Sequence, residues 1–188
     1  ANSEGLLVKS SLPLIFFIVQ TLAVGNGSSH MGRERLSRHA GLEMFEEESP
    51  EKAAKEAARE SIAMLEAKEA PAGKMEVVIQ NGWGGVLVHE AVGHPLEADN
   101  IARQTGAFVG KLGKKVAADI FTMVDDGSQS GFRGTTDFDD EGTQMKRNVL
   151  IQNGVLVKFM TDILSARQLK MERTGNGRRE SFRYYPIP

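Results

Sequence analysis

The sequence predicts an α+β fold in which helices pack on a mixed or antiparallel sheet. A helix-forming segment begins after Ser49, and an Asn153-Gly154 pair between two apolar runs is typical of a β-hairpin. The predicted strands follow one another through turns and do not alternate with helices in repeated βαβ units, which favours this class over a parallel α/β fold. A chain of 188 residues is long enough for one domain with a substantial core or for two small ones.

The composition is that of an ordinary soluble globular protein. Hydrophobic residues make up 40% of the chain and charged residues 26%, and the formal net charge of -2 gives no reason to expect nucleic acid or an anionic membrane as a partner. Because the chain contains no cysteine, it can have no disulfide framework, no thiolate nucleophile and no cysteine-ligated zinc finger. This agrees with a reducing cytoplasm, and any metal must be held by His, Asp, Glu or water.

Residues 1–48 are expected to form N-terminal strands and a connector. The apolar run at residues 12–24 is shorter than the roughly 20 residues that span a bilayer, although it would also suit the apolar region of a secretory signal. Its Ile, Phe, Val and Leu content favours a buried β-strand. Residues 25–38 are small, polar and turn-forming, which predicts a loop or connector. Neither end of the chain has the character of a natural terminus, so we expect a fragment of a longer protein.

Residues 49–188 are expected to form one α+β region that starts with a helix. Ser49 is a suitable N-cap and Pro50 suits the first helical position, and strong helix formers follow them. Residues 74–82 are rich in β-forming side chains and end in Asn81-Gly82, which predicts a short strand. The apolar run from Gly84 is then predicted to be a buried helix.

The rest of this region is predicted to hold a strand, a hairpin and a short helix. The segment "DIFTMVDDG" has the pattern of a strand followed by a turn, and the runs on both sides of Asn153-Gly154 predict two paired strands. A short helix capped by Thr161 or Asp162 is expected to follow and to end before Gly175.

The stretch "HEAVGH" contains the candidate catalytic residues. His89 and His94 are five positions apart, and on a regular helix, at about 100° per residue, their side chains would diverge by about 140°. They converge only if the last turn widens into a π-type turn, which tends to occur at functional sites. Gly93 is expected to relax the backbone at this turn, and Pro95 cannot continue the helix.

These residues have the chemistry of a catalytic zinc site. Two neutral imidazoles, from His89 and His94, with a third ligand and an open water position would complete such a site. Glu90 follows the first of these ligands, where a carboxylate can act as general base towards the water and then as general acid towards the leaving amine. The alternative is that the two histidines are unrelated and that one of them is a hydrogen-bonded core residue.

Several separate motifs resemble one family. "GWGGVLVHEAVGHPLEAD", "TMVDDG", "DDEGT", "NVLIQNG" and "TGNGRRESF" are similar in order and spacing to the TldD/PmbA family of metallopeptidases, also called the modulator of DNA gyrase family. The intact His-Glu motif points to the TldD-type subunit, because the TldE (PmbA-type) partner looks like a relative that lacks it. The resemblance implies a zinc-dependent peptidase of the bacterial or archaeal cytoplasm, which works as a TldD/TldE heterodimer on unstructured peptides and peptide-antibiotic precursors. A homo-oligomer is the alternative to the heterodimer.

The resemblance also implies a role for each residue of the motif. His89 and His94 would bind Zn²⁺, Glu90 would be the catalytic acid/base, and a cysteine far downstream would be the third ligand. This chain has no cysteine, and it stops where the family continues through a long β-rich domain. We therefore expect a fold like the N-terminal domain of the family, with the C-terminal domain absent. Glu97 and Asp99 could reach the metal in place of the cysteine, and His30 and His39 could do so only through the folding of distant segments.

Arg178 and Arg179 lie in the "TGNGRRE" motif, which combines two glycines with two cations. By itself the motif is an anion-binding nest, a phosphate loop or merely a basic turn. The resemblance implies that it lies near the active cleft, where an arginine would bind a peptide carbonyl or carboxylate. The function expected for the whole is zinc-dependent peptide hydrolysis. The alternative is a truncated, non-catalytic subunit that serves as an interaction module.

Overall fold

The computed structural model describes residues 2–188, apart from the side chain of Trp83. The chain folds into two compact units. One unit consists of residues Ser11–Val77 with Ser130–Arg133, and the other comprises the segment ending at Ser10 with Val78–Gln129 and Gly134–Pro188. Both units combine helices with antiparallel strands, which confirms the predicted α+β class. The structure groups the helix after Ser49 with the strands before it. The expected domain division between residues 48 and 49 stays a prediction, because compact units need not coincide with domains.

The first unit is a β-hairpin packed on one long helix. Strands β1 (Ile15–Gly25) and β2 (Ser28–Arg38) pair antiparallel over their whole length, and helices α1 (Met44–Glu47) and α2 (Pro50–Met64) follow. Asn26 and Gly27 connect the strands with φ of 53° and 75°, as a two-residue hairpin turn requires.

Two expectations for the hairpin are corrected by the structure. Residues 25–38 do not form a loop, because Asn26-Gly27 is a hairpin turn and the polar residues after it pair with β1. A strand with one solvated face can carry many polar side chains. The apolar strand β1 is not buried either: its residues alternate between half-buried and exposed, with Phe16 50% and Leu22 65% exposed.

Helix α2 packs on the hairpin through small residues. The Ser49 hydroxyl accepts a hydrogen bond from the Lys52 N–H at 3.3 Å, and Pro50 begins the helix, as predicted. Ala53, Ala57 and Ser61, which recur every four residues along one face, are buried. Opposite them, the Thr21 hydroxyl donates to the Ala57 carbonyl at 2.7 Å. Small side chains on this face let the helix approach the hairpin backbone closely.

The second unit contains the main hydrophobic core. Strands β3 (Met123–Asp126), β4 (Arg147–Gln152) and β5 (Val155–Leu156) form an antiparallel sheet in the order β3-β4-β5. Helices α3 (Trp83–Val88), α4 (Ala98–Ala102) and α5 (Ile163–Leu169) complete the unit. The buried core residues come from the segment that follows the "HEAVGH" stretch, from β4 and β5, and from the chain just after β5, namely Leu96, Ala98, Ile101, Leu150, Ile151, Leu156 and Phe159.

The predicted hairpin and the last helix are confirmed. Asn153 and Gly154 connect β4 to β5 with φ of 48° and 79°. The Asp162 carboxylate accepts a hydrogen bond from the Ser165 N–H at 2.7 Å, and the Ser165 hydroxyl accepts from the Asp162 N–H. This reciprocal cap fixes the start of α5 at the position that the sequence indicates.

Residues 74–82 do not form the predicted strand. The segment is exposed and irregular up to the turn at Asn81-Gly82, and none of its residues pairs with a strand in the part of the chain that the structure describes. β-forming side chains give a strand only where a partner edge exists. No helix among residues 2–188 combines the length and the apolar composition that crossing a bilayer requires.

The contact between β2 and α2 yields a stability prediction. A Cβ at Gly32 would overlap the Ala57 carbonyl oxygen and lie 2.8 Å from the Ser61 nitrogen. We expect Gly32→Ala to lower the free energy of unfolding by about 1–3 kcal/mol, because the helix backbone must move away. The measurement is urea unfolding followed by circular dichroism.

Gly134→Ala is the control, since a Cβ at Gly134 meets nothing within 4 Å and we expect little change. If the two variants unfold at the same urea concentration, the close approach of the hairpin to α2 is wrong.

Candidate metal centre

A widened helical turn brings the two histidines of the motif together. Helix α3 continues into a π-type turn over His89–Gly93, in which the His94 N–H donates to the His89 carbonyl five residues earlier. The imidazole rings of His89 and His94 then lie with centroids 4.4 Å apart and planes inclined by 65°. The π-type turn that the spacing of the histidines predicts is therefore present.

Two details of this helix differ from the prediction. The helix is not buried, since Val86 and Leu87 are 44% and 55% exposed. Gly93 does not use the freedom of glycine, because its φ of -59° is an ordinary right-handed helical value. A Cβ at Gly93 would lie 3.7 Å from His89 Nδ1 and 3.8 Å from Met123 Cε, which are ordinary contacts. The π-type turn is followed by the 3₁₀ turn His94–Leu96, which contains Pro95.

Three side chains offer ligand atoms at one place. One atom each from His89, Glu90 and His94 lies within 4.8 Å of the others, and all three residues are exposed. Imidazole nitrogens are donors that suit zinc, and two of them at this separation can share one ion. The Glu90 carboxylate then lies beside that position, where a general base is needed. The residues present therefore fit such an ion in their chemistry and their spacing.

Glu97 binds one nitrogen of His94. Its Oε1 lies 2.7 Å from His94 Nδ1, whereas Glu90 Oε2 lies 3.8 Å from His94 Nε2. The hydrogen bond to Glu97 raises the pKa of His94, and the negative charges of Glu97 and Glu90 act in the same direction. The second nitrogen of the ring thus faces the side of the imidazole where Glu90 lies.

The structure does not place the expected alternative ligands in the His89, Glu90 and His94 group. The Glu97 carboxylate is bound to His94, and Asp99 forms an ion pair with Arg103 at 3.2 Å. His39 Nδ1 lies 3.2 Å from the Pro13 carbonyl oxygen in the hairpin unit, and His30 belongs to β2. None of these four residues is among the three that converge.

A cleft of about 380 Å³ lies beside His89. One wall is the helix, from Gly85 to Gly93, and the other is β3 with the residues before it, from Phe121 to Asp125. β3 is an outer strand of its sheet, because β4 is its one partner among the described residues. The opposite outer strand, β5, is covered by residues 113–116, whose backbone bonds to Gly154 and Leu156. β3 therefore combines an edge that pairs with no described strand with residues that line the cleft beside His89.

The "TGNGRRE" motif touches this cleft through a residue that the sequence analysis did not select. Asn176 donates to the Asp125 carboxylate at 2.8 Å, and Asp125 lines the cleft. Arg178 Nε lies 3.5 Å from Asp140, and Arg179 donates its N–H to the Asp140 carboxylate at 2.8 Å. Neither arginine lines the His89 cleft, so their role in substrate binding stays a prediction. Asp125 belongs to "TMVDDG" and Asn176 to "TGNGRRESF", so the presence of both motifs was the signal available in the sequence.

Models of two domains of one family match the chain. Residues 72–188 match the PmbA/TldA metallopeptidase C-terminal domain, and residues 1–65 match the PmbA/TldA metallopeptidase central domain. The residues around the His-Glu motif therefore lie in a C-terminal domain, where the sequence analysis expected an N-terminal-domain-like region with the C-terminal domain absent. That expectation is corrected by the match, although the α+β class itself is confirmed.

Curated relatives carry the same assignment. A metalloprotease TldD homolog of Buchnera aphidicola subsp. Acyrthosiphon pisum is 40% identical over 195 residues, which cover 100% of this chain and 40% of that protein. A TldD homolog of Haemophilus influenzae is 40% identical over 191 residues, covering 99% of this chain and 40% of that protein. A metalloprotease of Methanocaldococcus jannaschii is 34% identical over 178 residues, or 95% of this chain and 39% of its own length. The chain thus spans about 40% of the length of these relatives.

Solved structures share the fold. A modulator of a DNA gyrase from Thermotoga maritima superimposes with a TM-score of 0.74 at 26% identity, over 91% of this chain and 38% of that one. TldE from Thermococcus kodakarensis gives 0.68 at 23% identity, over 93% of this chain and 38% of that one. Both domain models match, and the whole of this chain is similar to part of the TldD homologues. The chain therefore belongs to the PmbA/TldD family of metallopeptidases.

Proposed function

We propose that this chain carries the zinc-binding and catalytic residues of a TldD-type peptidase that hydrolyses unstructured peptides. The observation that carries the proposal is the convergence of His89, Glu90 and His94 through the π-type turn. Relatives named metalloproteases support a metal-dependent peptidase. The choice of zinc rests on the two histidines, because imidazole nitrogens suit that ion.

Each residue of the motif has a distinct role in this proposal. His89 and His94 hold the ion through imidazole nitrogens. Zinc supplies Lewis acidity, which makes a water molecule nucleophilic at neutral pH. The carboxylate of Glu90 takes the proton of that attacking water and delivers it to the leaving amine nitrogen. Its position 3.8 Å from His94 Nε2 places the carboxylate beside the ligand atoms while its side chain remains largely exposed to solvent.

The third ligand is the open part of the proposal. The cysteine that the family resemblance implies has no counterpart in this chain, so we assign the position to water or to a group other than a cysteine of this chain. The exposed position of the three residues leaves room for such a group and for a substrate. This chain spans about 40% of the length of its relatives. The activity is therefore proposed for a protein of their length that contains these residues.

An extended peptide is proposed to bind along the open edge of β3. This strand lines the His89 cleft and, among the described strands, pairs only with β4. A peptide that adds to a strand edge is held through its backbone, with little dependence on its sequence. Such binding suits unstructured substrates, because a folded protein does not offer a free extended backbone.

The cellular setting is also part of the proposal. A TldE-type subunit is the proposed partner, supported by the fold likeness to TldE of Thermococcus kodakarensis, with a homo-oligomer as the alternative. The cytoplasm is the proposed location, in keeping with a chain that has no cysteine. The second candidate function is a non-catalytic interaction module, which the missing cysteine ligand favours. A pull-down with a TldE-type subunit alongside a peptidase assay separates these candidates, since the module would bind without hydrolysis.

Zinc content tests the ligand assignment. We expect one zinc ion per chain after stripping and reloading, and loss of that ion in His89→Ala, because one imidazole cannot hold it alone. Elemental analysis gives the stoichiometry. His30→Ala is the control, since His30 lies in β2 and is absent from the three-residue group. Equal zinc in the His89→Ala variant and the parent chain would refute the site.

Glu90→Gln tests the role of the carboxylate. The change keeps the shape of the side chain but removes the base, so we expect kcat to fall by about 10²–10⁴ while bound zinc is retained. The measurement is cleavage of an unstructured peptide together with zinc content. Glu69→Gln, at an exposed residue in the other unit, should leave both unchanged. Full activity in Glu90→Gln would show that Glu90 is not the general base.

Backbone methylation of a substrate tests the binding mode. A peptide N-methylated at alternate residues cannot donate along one edge, so it should compete poorly with its unmodified parent if β3 binds the backbone. Inhibition constants of the two peptides provide the comparison. The control is a second peptide that is N-methylated at the other alternate residues, whose N–H groups point away from β3. Equal inhibition by all three peptides would exclude binding to a strand edge.

A further inference from the structure

The contact between His94 and Glu97 is the shortest polar contact of the candidate metal centre. Glu97 Oε1 lies 2.7 Å from His94 Nδ1, and the side chain of Glu97 is only 20% exposed, compared with 49% for His94. Glu97 lies outside the group formed by His89, Glu90 and His94. In the structure its carboxylate approaches the imidazole nitrogen that faces away from Glu90.

The backbone holds Glu97 at this position. His94–Leu96 is a 3₁₀ turn, and the Glu97 N–H donates to the His94 carbonyl at 3.1 Å. Residues three apart are eclipsed in such a turn, which places the carboxylate of Glu97 against the ring of His94. A regular α-helix would offset the two side chains.

The residues on both sides of Glu97 are anchored in the core. The Met160 N–H donates to the Leu96 carbonyl at 3.0 Å, and the Ala98 N–H donates to the Met160 carbonyl at 2.8 Å. Leu96 and Ala98 are both 0% exposed. Glu97 is thus fixed between two buried residues that are hydrogen-bonded to the strand-like segment after β5, whereas His94 projects into solvent.

We propose that Glu97 is a positioning residue for the metal site, which holds the proton of the His94 imidazole on Nδ1 and leaves Nε2 free to bind the ion. The inference rests on the proposed zinc site but concerns a residue outside the ligand set. A carboxylate that accepts a hydrogen bond from the second nitrogen of a ligating histidine fixes the tautomer and the orientation of the ring. The Nε2 atom then points towards the side on which Glu90 lies.

Asp99 provides a matched comparison. It lies two residues beyond Glu97, its side chain is also 20% exposed, and its carboxylate pairs with Arg103 at 3.2 Å instead of with a histidine. Removal of either carboxylate costs one negative charge in the same segment. Only the loss of Glu97 removes the partner of His94, so the two variants separate a specific contact from a general charge effect.

The experiment has two readouts on the 188-residue chain and its variants. The first is the tautomer of His94 in the zinc-free protein, read from ring-nitrogen chemical shifts at alkaline pH, where the ring is neutral. The second is zinc affinity, from competition with a chelator. The variants are Glu97→Ala and Glu97→Gln, with Asp99→Asn as the control. Glu97→Gln keeps an acceptor oxygen and the shape of the side chain, so it shows whether any effect in Glu97→Ala is only a loss of packing.

The parent chain should show the Nδ1–H tautomer of His94. Glu97→Ala should shift the ring towards a mixture and weaken zinc binding by about 10–100-fold. Glu97→Gln should keep the tautomer with a smaller loss of affinity, and Asp99→Asn should match the parent in both readouts. The same tautomer in Glu97→Ala as in the parent would overturn the proposal, as would equal losses in Glu97→Ala and Asp99→Asn. If no chain binds zinc, the proposed function fails, and the tautomer still decides whether Glu97 positions His94.

Discussion

The hydrogen bond from the His94 N–H to the His89 carbonyl determines the rest of the site. It closes a turn that is one residue wider than that of an α-helix, and it is the reason the two rings lie 4.4 Å apart. The same turn ends where the 3₁₀ turn begins. That change of helix type places Glu97 against His94. One unusual backbone bond therefore sets both the pair of imidazole rings and the carboxylate that accompanies it.

Such a turn needs support from outside itself, because a π-type turn is rarely stable alone. The support comes from the chain after it: Leu96 and Ala98 are buried and bridge to Met160 beside the sheet. The helix before the turn contributes little burial, since Val86 and Leu87 are largely exposed. The site is thus fixed from its C-terminal side by the core, while His89, Glu90 and His94 stay open to solvent. The proposed function requires this combination of a rigid base and accessible side chains.

Local signals in the sequence predicted much of this structure. The capped helix at Ser49, the Asn153-Gly154 hairpin and the widened turn each depend on residues within a few positions of one another, so they can be predicted without knowledge of the fold. The predictions were wrong where the secondary structure of a segment depends on the segment that packs beside it. Residues 74–82 have strand-forming side chains but no strand to pair with, and the polar strand β2 forms because β1 lies beside it.

The candidate site shows the same division between local and distant information. His89, Glu90 and His94 were predicted as a group because their spacing is local. The contact of Asn176 with Asp125 joins residues 51 positions apart. The position of β3 at the edge of its sheet depends on its pairing with β4. The sequence carries no distance information for either. Arg178 and Arg179 were selected for their charge, but the structure pairs both with Asp140. Charge alone does not show which neighbour a side chain will meet.

The spacing of the motif explains why a single wide turn suffices for three donors. His94 follows Glu90 by four residues and His89 by five. A regular helix would place His94 near Glu90 but about 140° away from His89. A turn closed by an i to i+5 bond instead contains between four and five residues. Viewed along the helix axis, His94 therefore lies between His89 and Glu90. This accounts for a ring contact with His89 at 4.4 Å together with a separation of 3.8 Å from Glu90. The extra residue of the motif is thus what lets both imidazoles and the carboxylate meet on one face.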